Sequence, residues 1–510
     1  MGRAFLTMLV SSVAVVALAL TGGASGGSAA VHYTVAFNQQ SGLPANVDQM
    51  VAAAGGTITA RLPEIGGIGV VSDNPNFAQA IAANSTVKSA DVSATTGLID
   101  PVADSADNNG GNASATGSDA QAMPDPLGYE QWDKKKLNAT TTGSYALQRG
   151  RHDVRVFVID TGADQSHADV APNLDTADSI SFVPSEPTIQ DFNGHGTWTI
   201  SAVGAPINGI GISGVAPNVT LVEGKVLSGA GSGEFLWTDE ALIYAGLQHF
   251  DVVSASLGGY IPKCGNQHVD AMGNPICDHP DYILLNRATQ FARSNGVLPV
   301  AAAGNDGFDL SQGAFFRNFV EAPGEIAGWV TVSATGYVDN KAFYSNYGTS
   351  IDVSAPGGST RDYNGVSGHP GPCPHASLCR LIGAWSSTGS SAPSDPVEQC
   401  TGPGGTPPCF LYGYVQGTSM ATPNVAGVAA LIISQYGDFS SNNQNKPHMS
   451  PTAVESILQK TANNQPCPSP NTVTQGGGFA FATATCQGGP GNNTFFGKGI
   501  VDALKAVTDH

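Results

Sequence analysis

The stretch Gly417-Thr418-Ser419-Met420-Ala421-Thr422-Pro423 stands between an aromatic run at 410–415 and a run of small and branched residues at 425–433. The second run is typical of a buried helix, so Ser419 falls near a helix N-terminus. Unpaired backbone N–H groups and the positive end of the helix dipole collect there, and both favour an oxyanion beside a hydroxyl. A small-residue helix start is more often plain packing. The stretch alone therefore only suggests a nucleophilic serine.

Two earlier stretches supply partners for this serine. The β-branched run at 154–159 ends in Asp160 and a glycine turn, as expected of a buried parallel strand that delivers a carboxylate at its C-terminal end. In Asn193-Gly194-His195-Gly196-Thr197 an imidazole lies between two glycines, which allow close approach of the backbone to a neighbour. A serine needs a base, and the base needs a third group that holds its tautomer. Asp160, His195 and Ser419 have the chemistry for these roles.

Strand-like and helical stretches alternate through the middle of the chain. A strand pattern at 220–227 is followed by helical patterns at 238–249 and 280–294. This alternation predicts the α/β fold class, with a parallel sheet covered by helices on both faces. Ligands of such sheets bind beyond the carboxyl ends of the strands, where we expect Asp160.

The three motifs, in the chain order Asp, His, Ser, resemble those of the subtilase family of serine proteases from about residue 129 to residue 507. The resemblance implies a subtilisin-like fold and a secreted endopeptidase that forms an acyl-enzyme. It also implies that Asn305, at the end of Ala301-Ala302-Ala303-Gly304-Asn305, completes an oxyanion hole with the backbone N–H of Ser419. The motif 496–503 is similar to the closing motif of the family.

The resemblance further implies a substrate cleft with an edge strand at 231–233 and a primary specificity pocket. The residues assigned to substrate binding are Gly231, Ser232, Gly233, Ser256, Leu257, Gly258, Ala302, Ala303 and Gly304. The pocket residues are small and uncharged, which suggests a roomy apolar pocket without fixed charge. From this we expect a broad specificity with large apolar residues just before the cut bond.

Two positions near the Asp and His motifs bear on the resemblance. The family usually has a second histidine directly after His-Gly-Thr, where this chain has Trp198. That position carries none of the three chemical roles, so we expect altered packing without loss of activity. A further imidazole, His167, takes a structural loop position by the resemblance.

The length of the chain indicates how many domains it has, and its net charge limits which partners it can bind. A chain of 510 residues with 41% hydrophobic content has room for a catalytic domain and an accessory segment. With 21 Lys and Arg against 40 Asp and Glu, the net charge is −19, which disfavours nucleic acid and anionic membranes as partners. We expect protein or peptide substrates, no nucleic acid, no membrane association after signal removal, and a monomer.

The N-terminus has the composition of a secretory signal peptide. Arg3 precedes an apolar stretch at 5–20, and small residues lead up to Ala30, where we place the cleavage site. The predicted signal peptide is thus 1–30, and the protein is expected outside the cell. A membrane anchor is the alternative, but the apolar run is short for a span.

The pattern of residues 31–99 predicts a small α+β domain. Strand patterns at 32–37, 56–62, 68–71 and 87–92 alternate with helical patterns at 45–54 and 76–83. Its position resembles that of the inhibitory propeptide of subtilases, and a permanent N-terminal domain is the alternative. Residues 100–125 read as a linker in which processing sites are exposed. We expect a mature N-terminus between Ala94 and Asp125 by self-cleavage, followed by the catalytic domain 126–510.

Three polar, Gly- and Pro-rich regions look inserted, at 261–281, 358–411 and 463–492, and they hold all eight cysteines. The simplest pairing of these cysteines is local, and it suits a secreted chain, although many other connectivities are open. The pairs would be Cys264–Cys277, Cys373–Cys379, Cys400–Cys409 and Cys467–Cys486. A metal site of Cys264, His268, Cys277 and His279 is the rival, but its spacing is irregular. Structural calcium enters by family resemblance only, with ligands unknown.

Two other functions remain as alternatives to a serine endopeptidase. A subtilase fold could be kept as a catalytically silent binding protein, although every chemical position is occupied here. An esterase of the α/β-hydrolase type would need its nucleophile in Gly-x-Ser-x-Gly and before the acid and the histidine, whereas Ser419 follows Thr418 and comes last of the three.

Overall fold

The computed structural model describes residues 30–98, 123–264, 278–311, 318–361, 379–390, 393, 395–439, 448–474 and 483–509. The predicted signal peptide lies outside the described residues apart from Ala30, and the predicted linker lies outside them apart from 123–125. No helix in the described ranges combines the length and the apolar character that crossing a membrane requires.

The N-terminal unit is a four-stranded antiparallel sheet with two helices, followed by a separate short strand. Its elements are β1 (Val31–Phe37), α1 (Val47–Ala53), β2 (Gly56–Leu62), β3 (Gly67–Ser72), α2 (Phe77–Ala82), β4 (Val87–Val92) and β5 (Thr95–Leu98). The sheet order is β2-β3-β1-β4, and β5 leaves this sheet for another. The strands and helices expected in 31–99 are confirmed, and β5 was not predicted.

A seven-stranded parallel sheet forms the centre of the molecule and confirms the predicted fold class. Its strands are β6 (Arg155–Asp160), β7 (Ile180–Ser181), β8 (Thr220–Lys225), β10 (Val252–Ala255), β12 (Leu298–Ala302), β14 (Val330–Thr335) and β15 (Val353–Pro356). Their order is β15-β14-β12-β10-β6-β8-β7, and each neighbouring pair is parallel.

Helices cover both faces of this sheet. In chain order they are α3 (Trp132–Lys136), α4 (His195–Gly204), α5 (Phe235–Gln248), α6 (Pro280–Ser294), α7 (Thr418–Tyr436), α8 (Pro451–Thr461) and α9 (Ala503–Thr508). Single 3₁₀ turns lie at Gly128–Glu130, Ser144–Ala146 and Ala171–Asn173.

Successive side chains of each central strand point to opposite faces of the sheet, so each strand contributes to the core on both sides. In β6, Val156 and Val158 join the apolar cluster that contains α4, α7 and α8, whereas Phe157 and Ile159 join the cluster that contains α5 and α6. All four side chains are fully buried. A central strand with two buried faces must be apolar along its whole length, as this one is until Asp160.

A second, smaller sheet lies beside the ends of the central strands. It contains β9 (Ser232–Glu234), β11 (Leu257–Pro262) and β13 (Phe319–Ala322), and its order is β13-β11-β5-β9 with antiparallel pairs throughout. The short strand β5 from the N-terminal unit therefore completes a sheet whose other members belong to the predicted catalytic domain.

The regions that looked inserted contain short sheets. They are β16 (Leu381–Trp385), β17 (Pro396–Gly402) and β18 (Thr406–Val415) in the order β16-β18-β17, and the two-stranded pairs β19 (Thr472–Thr474) with β20 (Thr483–Thr485) and β21 (Gly488–Gly489) with β22 (Asn492–Asn493).

The described disulfides confirm two predicted pairs, Cys400–Cys409 between β17 and β18 and Cys467–Cys486. Cys264 and Cys379 are also disulfide-bonded, which argues against the alternative metal site at Cys264. The partners predicted for them, Cys277 and Cys373, lie outside the described residues, as does His268.

The N-terminal sheet docks on α5 and α6 through a face of β3 that lacks side chains. A Cβ at Gly67 would come within 2.5 Å of Leu284 on α6, and one at Gly69 within 2.3 Å of Leu236 on α5. Because residues two apart share a face of a strand, these glycines allow both helices to approach the sheet closely.

Arg287 on α6 adds polar contacts to this interface. Its guanidinium donates to the carbonyl oxygens of Phe37 and Ile65 at 3.1 and 3.0 Å. A hydrogen bond from a charged donor stabilises by about 1.5–3 kcal/mol, so Arg287 is a strong anchor for the N-terminal unit.

We predict that Arg287→Ala loosens the N-terminal unit without unfolding the central sheet. Amide hydrogen exchange in β1 and β3 of the full chain should rise about tenfold or more, as expected from loss of one such bond. Arg293→Ala is the matched control, because Arg293 lies on the same helix but pairs with Glu455, away from the N-terminal unit. Equal exchange in the two variants would contradict the anchoring role.

Candidate active site

Asp160 lies at the carboxyl end of β6, as predicted, and is fully buried. One carboxylate oxygen accepts the backbone N–H of Thr161 at 2.7 Å, and the other accepts the hydroxyl of Thr199 at 3.1 Å. These donors fix the plane of the carboxylate in the interior, where an ionised group needs hydrogen bonds.

His195 is the first residue of α4, and its ring faces Asp160. Its Nδ1 lies 2.8 Å from Oδ1 and 3.0 Å from Oδ2 of that carboxylate. An ionised carboxylate only accepts, so Nδ1 carries the proton in the neutral ring and Nε2 keeps the lone pair. Gly194 and Gly196 permit this placement, because a Cβ at Gly196 would lie 2.1 Å from the carbonyl oxygen of Gly162, and one at Gly194 would lie 2.2 Å from Trp385.

Ser419 is the second residue of α7, and a proline four residues later shapes its surroundings. Pro423 has no N–H to donate to the carbonyl of Ser419, so that oxygen has no helical partner. The hydroxyl of Ser256 donates to it at 2.8 Å instead, and the hydroxyl of Ser419 donates back to the carbonyl of Ser256 at 3.2 Å. This reciprocal pair joins the start of α7 to the residue between β10 and β11.

Asn305 approaches the same helix start from the end of β12. Its Oδ1 accepts both the N–H and the hydroxyl of Thr418, at 2.9 and 2.8 Å. This holds the amide with Nδ2 toward Gly417: a Cβ there would lie 3.2 Å from Asn305 Nδ2 and 3.6 Å from the backbone nitrogen of Ser419. Both donors therefore lie beside the position that a Cβ of Gly417 would take, the kind of arrangement that an oxyanion hole needs.

The residues predicted to bind substrate line the strand pairing around β5. Leu98 and Gly97 pair with Leu257 and Gly258 on one side, and Gly97 pairs with Ser232 on the other. Gly233 also lies in β9, where it pairs with Thr96, and Gly231 and Ser256 directly precede β9 and β11. Ala302 ends the central strand β12, and Ala303 and Gly304 follow it. The carbonyl of Gly231 accepts the N–H of Leu98 at 2.8 Å. A peptide from the same chain therefore occupies this part of the predicted cleft.

Trp198 stands where the family usually has a histidine, and the sequence predicted altered packing at this position. It is fully buried with Met420 and Leu381, and its indole donates to the carbonyl of Gly413 in β18 at 3.1 Å. The side chain that departs from the family pattern therefore links the His195 helix to one of the inserted sheets.

The second imidazole, His167, lies away from these groups and is bonded on both nitrogens. Its Nδ1 accepts the N–H of Asp169 at 3.1 Å, and its Nε2 lies 3.1 Å from the carbonyl of Leu411. Burial lowers the pKa of His167 to about 4, so the ring is neutral at physiological pH. These contacts support the structural position expected for it.

The described residues offer no clear metal centre. The cluster with ligand chemistry is Glu398, Cys400 and Cys409, but the two cysteines are joined to each other and cannot act as thiolates. Asp169 accepts the hydroxyl of Tyr412 at 2.8 Å and the N–H of Ile212 at 3.0 Å, and burial raises its pKa to about 7. Calcium prefers several ionised or carbonyl oxygens, so its ligands in this chain stay unassigned.

Comparison with known proteins identifies the family from an independent direction. The model of the subtilase family matches residues 151–499, which contain Asp160, His195, Asn305 and Ser419. The chain belongs to the subtilase family. Subtilases commonly bind structural calcium, but the match assigns no ligand residues here.

The sequence relatives are bacterial proteases by name. The chain is 33% identical over 301 residues to the alkaline protease of Alkalihalobacillus alcalophilus, a match that covers 59% of each chain. It is also 33% identical over 301 residues to subtilisin Savinase of Lederbergia lenta, with 59% of this subtilase and 83% of the relative covered. The match thus spans less than two thirds of the first of these relatives.

Among solved structures, the epidermin leader peptide processing serine protease of Staphylococcus aureus is similar along nearly the whole chain. The match has a TM-score of 0.66 at 22% identity and covers 94% of this subtilase and 98% of the other chain. At this identity the likeness shows the shared fold, which here includes the arrangement of the parallel sheet and its helices.

Three contributors to the site were not predicted from the sequence. They are Pro423, which frees the carbonyl of Ser419, Thr418, which orients Asn305, and Thr199, which holds Asp160. A proline four residues after the candidate nucleophile is a signal that could have been recognised, because it always leaves that carbonyl without a helical donor. The two threonines give no such signal.

We predict that His167 makes folding stability depend on pH between about 6.5 and 4. Its pKa is lower in the folded chain than its ordinary 6.5, so acid protonates the unfolded chain first and destabilises the fold by about 3 kcal/mol as pH falls through this window. Chemical unfolding of Ser419→Ala protein at several pH values measures the effect. His167→Gln should remove this slope, whereas replacement of the exposed His152 by Gln should leave it. An unchanged slope in His167→Gln would contradict the assignment.

Proposed function

We propose that this subtilase is a secreted serine endopeptidase that hydrolyses peptide bonds through an acyl-enzyme. The observation that carries the proposal is the buried hydrogen bond between Asp160 and His195 at the same edge of the sheet as Ser419, beside converging donors from Asn305 and Ser419. Nucleophile, base, orienting carboxylate and oxyanion donors are then all supplied by one chain.

In the proposed reaction, Oγ of Ser419 attacks the carbonyl carbon of the substrate while Nε2 of His195 takes the hydroxyl proton. The oxyanion that forms is stabilised by Nδ2 of Asn305 and the N–H of Ser419. When the C–N bond breaks, His195 gives its proton to the leaving amine. Water then attacks the acyl-enzyme, His195 accepts its proton, and Ser419 is regenerated. Asp160 keeps the proton of His195 on Nδ1 throughout.

The geometry suits this chemistry because, apart from the hydroxyl of Ser419 turning from the carbonyl of Ser256 to His195, the groups that stabilise the developing charge are already in place. The reciprocal bonds between Ser256 and Ser419 hold the helix start, and Thr418 holds the amide of Asn305. The side-chain amide of Asn305 and the backbone N–H of Ser419 already lie beside Gly417 before substrate arrives, so the transition state gains their electrostatic stabilisation. Activity should fall in acid, because a protonated His195 cannot take the serine proton.

Residues 31–99 are proposed to be an inhibitory propeptide. The pairing of β5 with β9 and β11 supports this role, since it occupies the strand positions that a substrate would use. In this proposal the segment folds with the catalytic domain 126–510, is cut between Ala94 and Asp125, and then blocks the cleft. Removal of the predicted signal peptide 1–30, secretion and a monomeric state belong to the same proposal.

The second candidate function is a catalytically silent binding protein with the same fold. The paired β5 is the observation compatible with it, because a cleft that binds a peptide strand need not cleave it. The occupied positions Asp160, His195, Asn305 and Ser419 favour the peptidase.

We predict that wild-type secreted protein is shortened by roughly the N-terminal unit and takes one equivalent of a fluorophosphonate serine probe. The Ser419→Ala variant should stay full length after signal removal and should remain unlabelled, because it lacks the nucleophile. Intact-mass analysis before and after labelling measures both properties. If both proteins stayed long and unlabelled, the silent binding protein would become the better explanation.

We predict that Asn305→Ala lowers kcat and leaves KM nearly unchanged. Loss of one side-chain donor from an oxyanion hole costs about 10²–10³ in turnover, a magnitude known from subtilisin itself, and this donor acts mainly in the transition state. Steady-state hydrolysis of a peptide substrate measures it. Asn173→Ala is a control for a buried asparagine that bonds to backbone carbonyls on another part of the molecule. Normal turnover of Asn305→Ala would remove Asn305 from the mechanism.

A further inference from the structure

Glu321 is a buried carboxyl group next to the predicted specificity pocket. It lies on β13 and is 2% exposed. A Cβ built on Gly304, one of the predicted pocket residues, would lie 3.3 Å from Cδ of Glu321. The expectation of a pocket without fixed charge rested on Ser256, Gly258, Ala303 and Gly304, and the structure adds an acidic residue from another strand.

Asp306 brings a second carboxyl group to the same wall. It directly follows Asn305, is exposed, and accepts the hydroxyl of Tyr260 at 2.6 Å. Tyr260 and Glu321 are partners in the pairing of β11 with β13. One carboxyl group thus lies at the open rim and the other in the interior, with Tyr260 between them in the sheet.

The strand register indicates which substrate side chain meets these groups. Paired residues in a sheet point to the same face, and so do residues two apart along a strand. Glu321 pairs with Tyr260, which shares its face with Gly258, and Gly258 pairs with Gly97. A substrate in the register of β5 would therefore turn the residue after the Leu98 position onto the face of Glu321.

That substrate position is also the one next to the nucleophile. The residue after the Leu98 position lies opposite Ser256, because Leu98 pairs with Leu257 in antiparallel register. The carbonyl of Ser256 accepts the hydroxyl of Ser419 at 3.2 Å. The side chain just before the cut bond would thus extend past Gly258, which has no side chain to block it, toward Glu321.

The local electrostatics favour a cation at this place. Burial raises the pKa of Glu321 well above its ordinary range, and the carboxylates of Asp306 and Glu325 raise it further. A substrate cation between Glu321 and Asp306 would reverse this effect and allow both to ionise, because an opposite charge within a few ångströms favours the charged form.

We propose that Glu321 and Asp306 make the pocket select arginine or lysine immediately before the cut bond. This inference rests on the proposed peptidase function, and it replaces the apolar preference expected from the sequence. Arginine suits the pair best, since its planar guanidinium has donors for two carboxylates at once. Gly258 has no side chain to block the path of a long substrate side chain, and the amide of Asn346 lies between Gly304 and the acidic pair, since a Cβ at Gly304 would come within 2.2 Å of Asn346 Nδ2.

The test is hydrolysis of a peptide series that differs only at the residue before the cut bond, with Arg, Lys, Leu, Phe or Glu there. Wild-type protein should show at least tenfold higher kcat/KM for Arg than for Leu, and Glu should be the poorest. In Glu321→Gln the ratio of Arg to Leu should fall about tenfold to a hundredfold, the effect expected for loss of one charge-assisted hydrogen bond. Asp306→Asn should lower the same ratio less, because Asp306 is exposed.

Two further variants keep the test decisive. Asp352→Asn is the matched control, because Asp352 is a largely buried acid that bonds to Thr331 away from the cleft, and it should leave the ratio unchanged. Glu321→Asp should restore part of the Arg preference that Glu321→Gln loses. If Glu321→Gln did not fold, the wild-type series and Asp306→Asn would still decide.

The outcomes separate this inference from the proposed function. Labelling by a fluorophosphonate together with Leu or Phe preferred over Arg would overturn the acidic pocket and leave the peptidase intact. Arg preference that survives in both Glu321→Gln and Asp306→Asn would also overturn it. Absence of labelling and of cleavage for every peptide would overturn the proposed function and, with it, this inference.

Discussion

The geometry of the candidate site depends on how the first turn of α7 is fixed to the central sheet. A helix start presents N–H groups without partners, and it can move unless other groups hold it. Here the missing N–H of Pro423 leaves the carbonyl of Ser419 to the hydroxyl of Ser256, and Ser419 donates back to Ser256. Asn305, which follows β12, accepts a hydrogen bond from the N–H of Thr418, the residue before Ser419. Two neighbouring central strands, β10 and β12, therefore set the position of the proposed nucleophile and of both proposed oxyanion donors.

The fold could largely be predicted because its signals are local. An uninterrupted apolar strand such as β6 must be buried on both faces, and its terminal carboxylate then lies at the edge where ligands bind. The helix start at Ser419 and the glycines around His195 are similarly local. The elements of the N-terminal unit also followed from periodicity. Strand β5 was missed because four residues containing a glycine have no periodicity of their own and become a strand only by pairing with β9 and β11.

The contents of the specificity pocket could not be predicted in the same way, because they depend on register. Gly258, Gly304 and their neighbours were recognisable as motifs, and they are small and uncharged. Glu321 lies more than fifteen residues beyond Gly304, in a strand whose pairing with β11 decides that its side chain faces the pocket wall. A shift of one residue in that pairing would turn Glu321 to the other face. Sequence motifs identify the walls of a pocket better than its base for this reason.

The proposed acidic pocket has a consequence for the chain's own processing. From residue 89 to residue 133 the sequence has neither lysine nor arginine, so a cut after β5 and before residue 126 must use a side chain that the pocket binds poorly. Self-cleavage can tolerate this, because a segment already paired with β9 and β11 reacts at a high effective concentration. The cleaved segment would then gain little from the pocket itself. The cleaved segment would stay bound through the strand pairing and through the docked N-terminal sheet. There Gly67 and Gly69 lie against α6 and α5, and Arg287 of α6 donates to the carbonyl of Phe37. A propeptide held in this way does not need to resemble the best substrate.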